Sequence, residues 1–230
     1  MRMKMYTGYN LHNKKIYQYR YRLVNSNMFI MVGNKSAVVI DAVISEEAVT
    51  LLQDSGVEKL WILITHEHYD HIQGINYLRS KFDCCIMGNA YAIKAIEDPK
   101  KNLAAYLESL TVFKKLQNDW REEYQIPDDY ACKGDVGFES RDVFEWEEIS
   151  FHIQSTPGHS KGSVCISVDD CFYFTGDSLV DGEDIILRLP GGSKKDYIAE
   201  TKPYLEQIKK DSIILPGHGE IRRMEAFRII

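Results

Sequence analysis

The chain has 230 residues and a formal net charge of -6 at pH 7, with 44% hydrophobic and 11% aromatic residues. This length and apolar content suffice for a packed core, and they exclude an intrinsically disordered chain. The negative balance argues against a nucleic-acid-binding protein that depends on a basic surface. We therefore expect a globular protein that has no nucleic-acid partner.

Cysteine usage and the N-terminus bear on the compartment. The five cysteines have no regular spacing and do not form the pattern of a disulfide framework. The opening residues MRMKMYTGYNLHNKK lack the apolar stretch of a signal peptide. Apolar runs stay well short of the roughly 20 residues that span a bilayer. We expect a cytoplasmic protein without a membrane partner, and no oligomeric state is predicted.

Strands and helices alternate over the first hundred residues. Strands are predicted over 16–23, 28–32, 37–42, 60–64 and 84–88, and helices over 45–56, 72–81 and 89–97. In the first helix, Ser45 is the predicted N-cap, Glu46 and Glu47 favour the helix dipole, and Gly56 is a suitable stop. Such alternation is typical of a layered α/β protein.

Residues 98–140 interrupt the alternation. The stretch KNLAAYLESLTVFKKLQNDW has helical spacing, whereas REEYQIPDDYACKGD has the composition of a loop. We predict a helical insertion within a single domain of residues 1–230. The insertion either lies over the functional site or packs on the sheet as a surface helix. Its aromatic residues either line a pocket or pack as core: Tyr106, Phe113, Trp120 and Tyr124.

Strands predominate again after the insertion. They are predicted over 149–155, 163–169, 171–175 and 212–215, with one helix over about 194–210. We find no internal repeat and no low-complexity linker, which agrees with a single domain.

Metal-binding residue types recur directly after predicted strands. THEHYDH follows the apolar LWILI and supplies His66, His68, Asp70 and His71, the first two spaced to bind one metal. His159 and His218 each lie in a PGH turn, and Asp177 in an FTGD turn. The carboxyl ends of strands are where sites form in layered α/β proteins. His12 and His152 do not share this context, and His152 is predicted to face solvent.

The donor types indicate the kind of metal. Imidazole and carboxylate ligands suit zinc, with iron and manganese as alternatives. Asp70 and His71 would point away from the His66–His68 pair, toward a second metal. For Asp70, capping of the helix predicted near His71 is an alternative role.

Five segments in this order resemble a known family: NMFIMVGNKSAVVIDA, THEHYDHIQG, STPGHSKGSVCI, FYFTGDSLV and LPGH. They resemble the motifs of the metallo-β-lactamase-fold hydrolases, most closely the short glyoxalase II-like members, over nearly the whole chain. The resemblance implies an α/β fold, a four-layer αββα sandwich with two divalent metal ions at one edge.

The resemblance also implies a role for each residue. His66, His68 and His159 would hold the first metal, and Asp70, His71 and His218 the second. Asp177 would bridge both metals, and Asp41 would orient the cluster from behind the ligands.

A mechanism follows from this arrangement. Two metals about 3.5–4 Å apart share a water and lower its pKa from about 15.7 toward neutrality. The shared hydroxide would attack the carbonyl of a small-molecule thioester, ester or lactone, and Asp70 would pass a proton to the leaving group. No substrate-binding residue is assigned, although Arg188 and Lys161 lie near motif positions and could contact an anionic substrate.

Related branches of the family differ at specific positions. Class B β-lactamases often have Cys at the position of Asp177, and flavodiiron proteins have Glu at that of His68, so both residues favour a hydrolase. Sulfur dioxygenases keep these ligands with one iron, which leaves a mononuclear iron persulfide dioxygenase as one alternative and a non-catalytic metal-binding protein as another. Glyoxalase II adds a C-terminal helical domain that contacts glutathione, whereas this sequence continues for only 12 residues after His218.

Overall fold

Two β-sheets dominate the computed structural model, which describes residues 6–109, 127–182 and 184–230. The first sheet has its strands in chain order: β1 (Tyr6–Leu11), β2 (Lys14–Tyr21), β3 (Ser26–Val32), β4 (Ser36–Ile40), β5 (Lys59–Leu63), β6 (Asp83–Asn89) and β7 (Val136–Phe138). The second sheet has the order β13-β12-β11-β10-β9-β8, with these bounds: β8 (Arg141–Trp146), β9 (Ile149–Ser155), β10 (Val164–Val168), β11 (Phe172–Gly176), β12 (Ile213–Pro216) and β13 (Arg222–Arg223).

Short helices connect these strands. Those before the insertion are α1 (Glu46–Asp54), α2 (Tyr69–Ile72), α3 (Ile75–Arg79) and α4 (Ala90–Ala95), and α5 covers residues 104–109. Those near the C-terminus are α6 (Lys194–Asp196), a π-helical turn (Tyr197–Thr201), α7 (Lys202–Leu205) and a 3-10 turn (Met224–Ala226). Ser45 caps α1 as predicted, because its hydroxyl accepts a hydrogen bond from the Ala48 amide at 3.1 Å.

Alternating side chains bury both faces of each sheet. In β4, Val38 and Ile40 point into the core between the sheets, whereas Ala37 and Val39 face the helices of the first outer layer. In β10, Ile166 joins the same central core and Cys165 faces the opposite outer layer. Helix, sheet, sheet and helix therefore stack in four layers, which confirms the predicted αββα sandwich.

Strand direction brings the C-terminal ends of several strands to one edge of each sheet. β4 and β5 are parallel in the first sheet, and β11 and β12 are parallel in the second. β9 runs in the same direction as β11, because both are antiparallel to β10. The segments that follow these five strands carry the predicted site residues. A hydrogen bond from the Val164 amide at the start of β10 to the Thr65 carbonyl, 2.8 Å long, joins the two sheets at this edge and brings the segments together.

The predicted helix over 72–81 differs from the structure. The chain turns helical at Tyr69, and the helix is broken before Ile75. Gly74 lies against the segment after β4, where its amide donates to the Ala42 carbonyl at 2.9 Å. A Cβ at Gly74 would stand 2.6 Å from the Val43 backbone, so this close packing requires glycine.

The other boundaries differ at the ends of the chain and around the insertion. Strands β1, β7, β8 and β13 were not predicted, and the helical stretch after Ser193 ends at Leu205 rather than near residue 210. Within 98–140, residues 104–109 are helical and 136–138 join the first sheet. Tyr106 is exposed, whereas Phe113, Trp120 and Tyr124 lie outside the described residues.

Within the part of the chain that the structure describes, no helix has the length and apolarity that crossing a bilayer would require.

Candidate metal centre

Seven side chains from four segments meet at the sheet edge defined above. The segment after β5 contributes His66, His68, Asp70 and His71, with the last two on the short helix α2. The turn after β9 contributes His159, that after β11 Asp177, and that after β12 His218. These are the seven residues that the sequence predicted as metal ligands, and the structure brings all of them together. Five are buried, and Asp70 and His218 are half-buried.

Their donor atoms form three overlapping groups. One group joins His66, His68 and His159, and a second joins Asp70, His71 and His218; within each, the donor atoms lie within 4.8 Å of one another. The third joins His66 and His71 to Asp177. This is the division into two metal positions that the family resemblance implies.

Asp177 lies between the first two groups. Its Oδ2 is 3.3 Å from His159 Nε2 and 3.3 Å from His218 Nε2, while its Oδ1 is 3.4 Å from His71 Nε2. One carboxylate thus contacts a member of each group. This is the position that a bridging ligand would occupy.

Hydrogen bonds behind the rings fix which nitrogen faces the cluster. His159 Nδ1 donates to the Ile186 carbonyl at 2.9 Å, and His218 Nδ1 donates to the Val24 carbonyl at 2.8 Å. A carbonyl can only accept, so the neutral ring then carries a lone pair on Nε2. In both residues this Nε2 atom points into the cluster.

Asp41 controls one histidine of each group. Its Oδ1 accepts from the Thr65 amide at 2.7 Å, and its Oδ2 accepts from the Thr65 hydroxyl and from His71 Nδ1, both at 2.8 Å. Because that hydroxyl donates to Asp41, its oxygen accepts from His66 Nδ1, 3.1 Å away. The structure therefore places Asp41 where it can fix the orientation of His66 and His71.

The donor set fits a cation. His71 Nε2 and His218 Nε2 lie 3.2 Å apart, although the second nitrogen of each ring is already used as a donor. These two nitrogens can face each other only with a cation between them, which is either a proton or a metal ion. Among the described residues, the buried atoms His66 Nε2 and Asp177 Oδ1 have no hydrogen-bond partner. Buried polar atoms without a partner are costly unless a ligand engages them.

The pKa shifts divide the site into neutral and charged parts. Burial lowers the pKa of His68 to about 3 and that of His66 well below its usual value, so both rings stay neutral. Burial opposes the charge on His218 as well, but Asp177 and Asp70 raise its pKa to about 10. The neutral His66 and His68 are suited to bind a divalent ion directly, whereas binding of an ion at His218 would displace its proton.

Close packing keeps the centre compact. A Cβ at Gly217 would stand 2.2 Å from Asp177 Oδ1 and 2.9 Å from His71 Cε1. A Cβ at Gly176, whose φ is +48°, would stand 2.6 Å from Thr65 Oγ1. The glycines of the FTGD and LPGH turns therefore let two sheets approach at the cluster.

The remaining sequence candidates lie elsewhere or act differently. His12 is exposed and pairs with Asp169, and His152 faces solvent as predicted. Lys161 is exposed and lies over the Tyr91 ring. Asp70 does not cap a helix: His68 is the N-cap residue of α2, and the Asp70 carboxylate contacts His71 and His218 instead.

Glu67 is a buried residue that the sequence did not single out. It lies between His66 and His68 but points away from them, because neighbouring side chains of an extended segment face opposite sides. Its Oε2 accepts from the Ser160 hydroxyl at 2.9 Å, and that hydroxyl is 2.9 Å from the Ser163 hydroxyl. Burial raises the pKa of Glu67 to about 7. The residue type alone carried no signal, because most glutamates lie on the surface.

We predict that Glu67→Ala lowers the free energy of unfolding by about 2–4 kcal/mol, because it leaves a cavity and removes the carboxylate that accepts from the buried Ser160 hydroxyl. Urea denaturation of the chelator-treated protein measures this. Glu148→Ala, at an exposed glutamate, is the matched control and should change stability by less than about 0.5 kcal/mol. Equal stability of the two variants would contradict the structural role of Glu67.

Solved structures share this fold. The BLEG-1 B3 metallo-beta-lactamase superposes with a TM-score of 0.73 at 23% identity, over 92% of this chain and 95% of that one. TTHA1623, solved in a di-iron-bound form, superposes with a TM-score of 0.70 at 23% identity, over 91% of this chain and 96% of that one. At this level of identity the likeness establishes the fold.

Curated relatives extend the comparison to sequence. The chain is 24% identical over 200 residues to the probable metallo-hydrolase YqgX of Bacillus subtilis, covering 85% of this chain and 86% of that protein. It is 24% identical over 210 residues to the acyl-coenzyme A thioesterase MBLAC2 of Homo sapiens, covering 84% of this chain and 72% of that protein. Residues 21–218 match the sequence model of the metallo-beta-lactamase superfamily. The chain therefore belongs to the metallo-β-lactamase superfamily.

Proposed function

We propose that the protein is a dinuclear metal-dependent hydrolase of small thioesters, esters or lactones. The observation that carries this proposal is the contact of one carboxylate, Asp177, with both groups of donors. His66, His68 and His159 would hold one ion, and Asp70, His71 and His218 the other. Imidazole and carboxylate donors favour zinc, with iron or manganese as alternatives.

The ions, when bound, supply a water of lowered pKa and stabilise the negative charge that develops on a carbonyl oxygen. The protein's own part is to hold the donors rigidly and to shape the space beside them. A cavity of about 500 Å³ opens over the cluster, with His68, Asp70, His159, Asp177 and His218 in its lining. Its size suits a small-molecule substrate.

Asp70 is the proposed proton donor to the leaving group. Its carboxylate lines the cavity and lies 3.3 Å from His218 Nε2 and 3.4 Å from His71 Nε2. Burial raises the pKa of this carboxyl, but His71 and His218 outweigh that effect and hold it well below its usual range. Because Asp70 is therefore ionised, it would first accept a proton from the attacking water and then transfer that proton to the leaving group.

Thioesters are the substrates to test first, because the relative MBLAC2 is named an acyl-coenzyme A thioesterase. A thioesterase of this kind would need no serine or cysteine nucleophile, because a metal-bound water attacks the substrate.

We predict that the zinc-loaded protein hydrolyses at least one of a thioester, an ester and a lactone, and that chelation abolishes turnover reversibly. Asp70→Asn should lower turnover per bound metal by about 100-fold, because the proton transfer is lost. Metal content is measured on each sample in parallel. An inert metal-loaded protein would contradict the proposed function, whereas Asp70→Asn with full metal and full turnover would contradict only the role of Asp70.

We also predict that Asp41→Asn weakens metal binding by about 10–100-fold. The substitution replaces one of the two carboxylate oxygens that accept from Thr65 and His71 by an amide NH2 group, which donates instead. Competition with a chromophoric chelator measures the affinity. Asp169→Asn, at an exposed aspartate paired with His12, is the matched control and should bind metal as the unsubstituted protein does. Unchanged affinity in a folded Asp41→Asn protein would show that Asp41 does not orient the ligands.

A further inference from the structure

The cavity over the metal centre has an apolar wall. Leu103 and Leu107 are buried and line it, together with Val24. Leu103 has a φ of +66°, a backbone conformation that is rare for residues other than glycine. The conformation is maintained by the buried Asn102, whose amide nitrogen donates to the Tyr130 carbonyl at 2.9 Å and to the Ile96 carbonyl at 3.1 Å.

The segment 184–189 forms another part of the cavity lining and is attached directly to the metal centre. The Ile186 carbonyl accepts from His159 Nδ1 at 2.9 Å, so the position of this segment depends on a proposed ligand. Ile186 and Arg188 line the cavity, whereas Leu187 between them packs against the outer core of the second sheet. The alternation turns Arg188 toward the cavity rather than away from it.

Arg188 is the one lysine or arginine in the lining of this cavity, as far as the described residues show. Its side chain is exposed, and no ion pair or hydrogen bond engages its guanidinium within residues 6–109, 127–182 and 184–230. The acidic lining residue Asp181 is already paired with Arg222, whose Nε lies 2.7 Å from its Oδ1. Asp184 also lines the cavity, but it is exposed and forms no ion pair with Arg188 among those residues.

A guanidinium without an acceptor, at the side of a cavity that ends at a metal centre, is suited to a carboxylate or phosphate group. We propose that Arg188 binds an anionic group of the substrate and thereby selects anionic thioesters or esters over neutral ones such as simple lactones. This inference rests on the proposed hydrolase function. It adds a specificity determinant outside the seven proposed metal ligands.

Matched substrate pairs test the proposal. One pair places the charge on the thiol side: the butyryl thioesters of 3-mercaptopropionate and of 3-mercaptopropanamide. The other places it on the acyl side: the ethyl monothioester of succinate and its succinamide counterpart. Within each pair, the two compounds differ in charge and hardly in shape, and comparison of the pairs shows which side of the substrate meets Arg188.

The zinc-loaded protein should hydrolyse the anionic member of at least one pair with a kcat/KM about tenfold higher than that of the neutral member. Arg188→Gln should remove this preference by raising the KM of the anionic substrate, and it should leave the kcat/KM of the neutral substrate unchanged. Arg188→Lys, which keeps the charge, should restore part of it. Arg223→Gln, at an exposed arginine outside the cavity lining, is the matched control and should behave as the unsubstituted protein does.

Equal kcat/KM within both pairs, or a preference that persists in Arg188→Gln, would overturn the inference. A complete lack of hydrolysis would instead contradict the proposed function, so binding is measured separately with the non-hydrolysable thioether analogues of each pair. Tighter calorimetric binding of a carboxylate analogue that depends on Arg188 would support the anion site even then. Equal binding of the carboxylate and amide analogues would overturn it.

Discussion

The buried Asp41 carboxylate is the interaction on which the arrangement of the site depends. It accepts hydrogen bonds from the backbone and hydroxyl of Thr65 and from His71 Nδ1. Through the Thr65 hydroxyl it also reaches His66. One side chain at the end of β4 thus orients a histidine in each of the two donor groups, and both rings present Nε2 to the same space.

The fold makes this control effective because the strands beside Asp41 cannot shift independently. β4 and β5 are parallel neighbours, and the segment beyond β5 is joined to the second sheet where the Val164 amide donates to the Thr65 carbonyl at 2.8 Å. Gly176 and Gly217 remove the side-chain bulk that would otherwise separate the sheets there. A rigid edge of this kind holds donors in fixed positions, which a metal centre requires.

Much of this could be predicted from the sequence, for identifiable reasons. Apolar alternation and turn residues located the strands that carry the motifs, and the motif order predicted which seven side chains meet. The break before Ile75 could not be predicted, because it depends on contact between Gly74 and the distant Val43 backbone. Glu67 could not be identified as a buried residue, because glutamates usually lie on the surface. The sequence named both Arg188 and Lys161 as possible contacts of an anionic substrate, and only the cavity lining distinguishes Arg188 from Lys161.

Whether these side chains hold two metal ions is measured by elemental analysis of the freshly purified native protein. We expect about two zinc, manganese or iron ions per chain, and fewer when Asp177 is replaced by Ala. One iron per chain would contradict the dinuclear site and favour the mononuclear dioxygenase. A chain that stays empty after metal is supplied would contradict metal binding altogether.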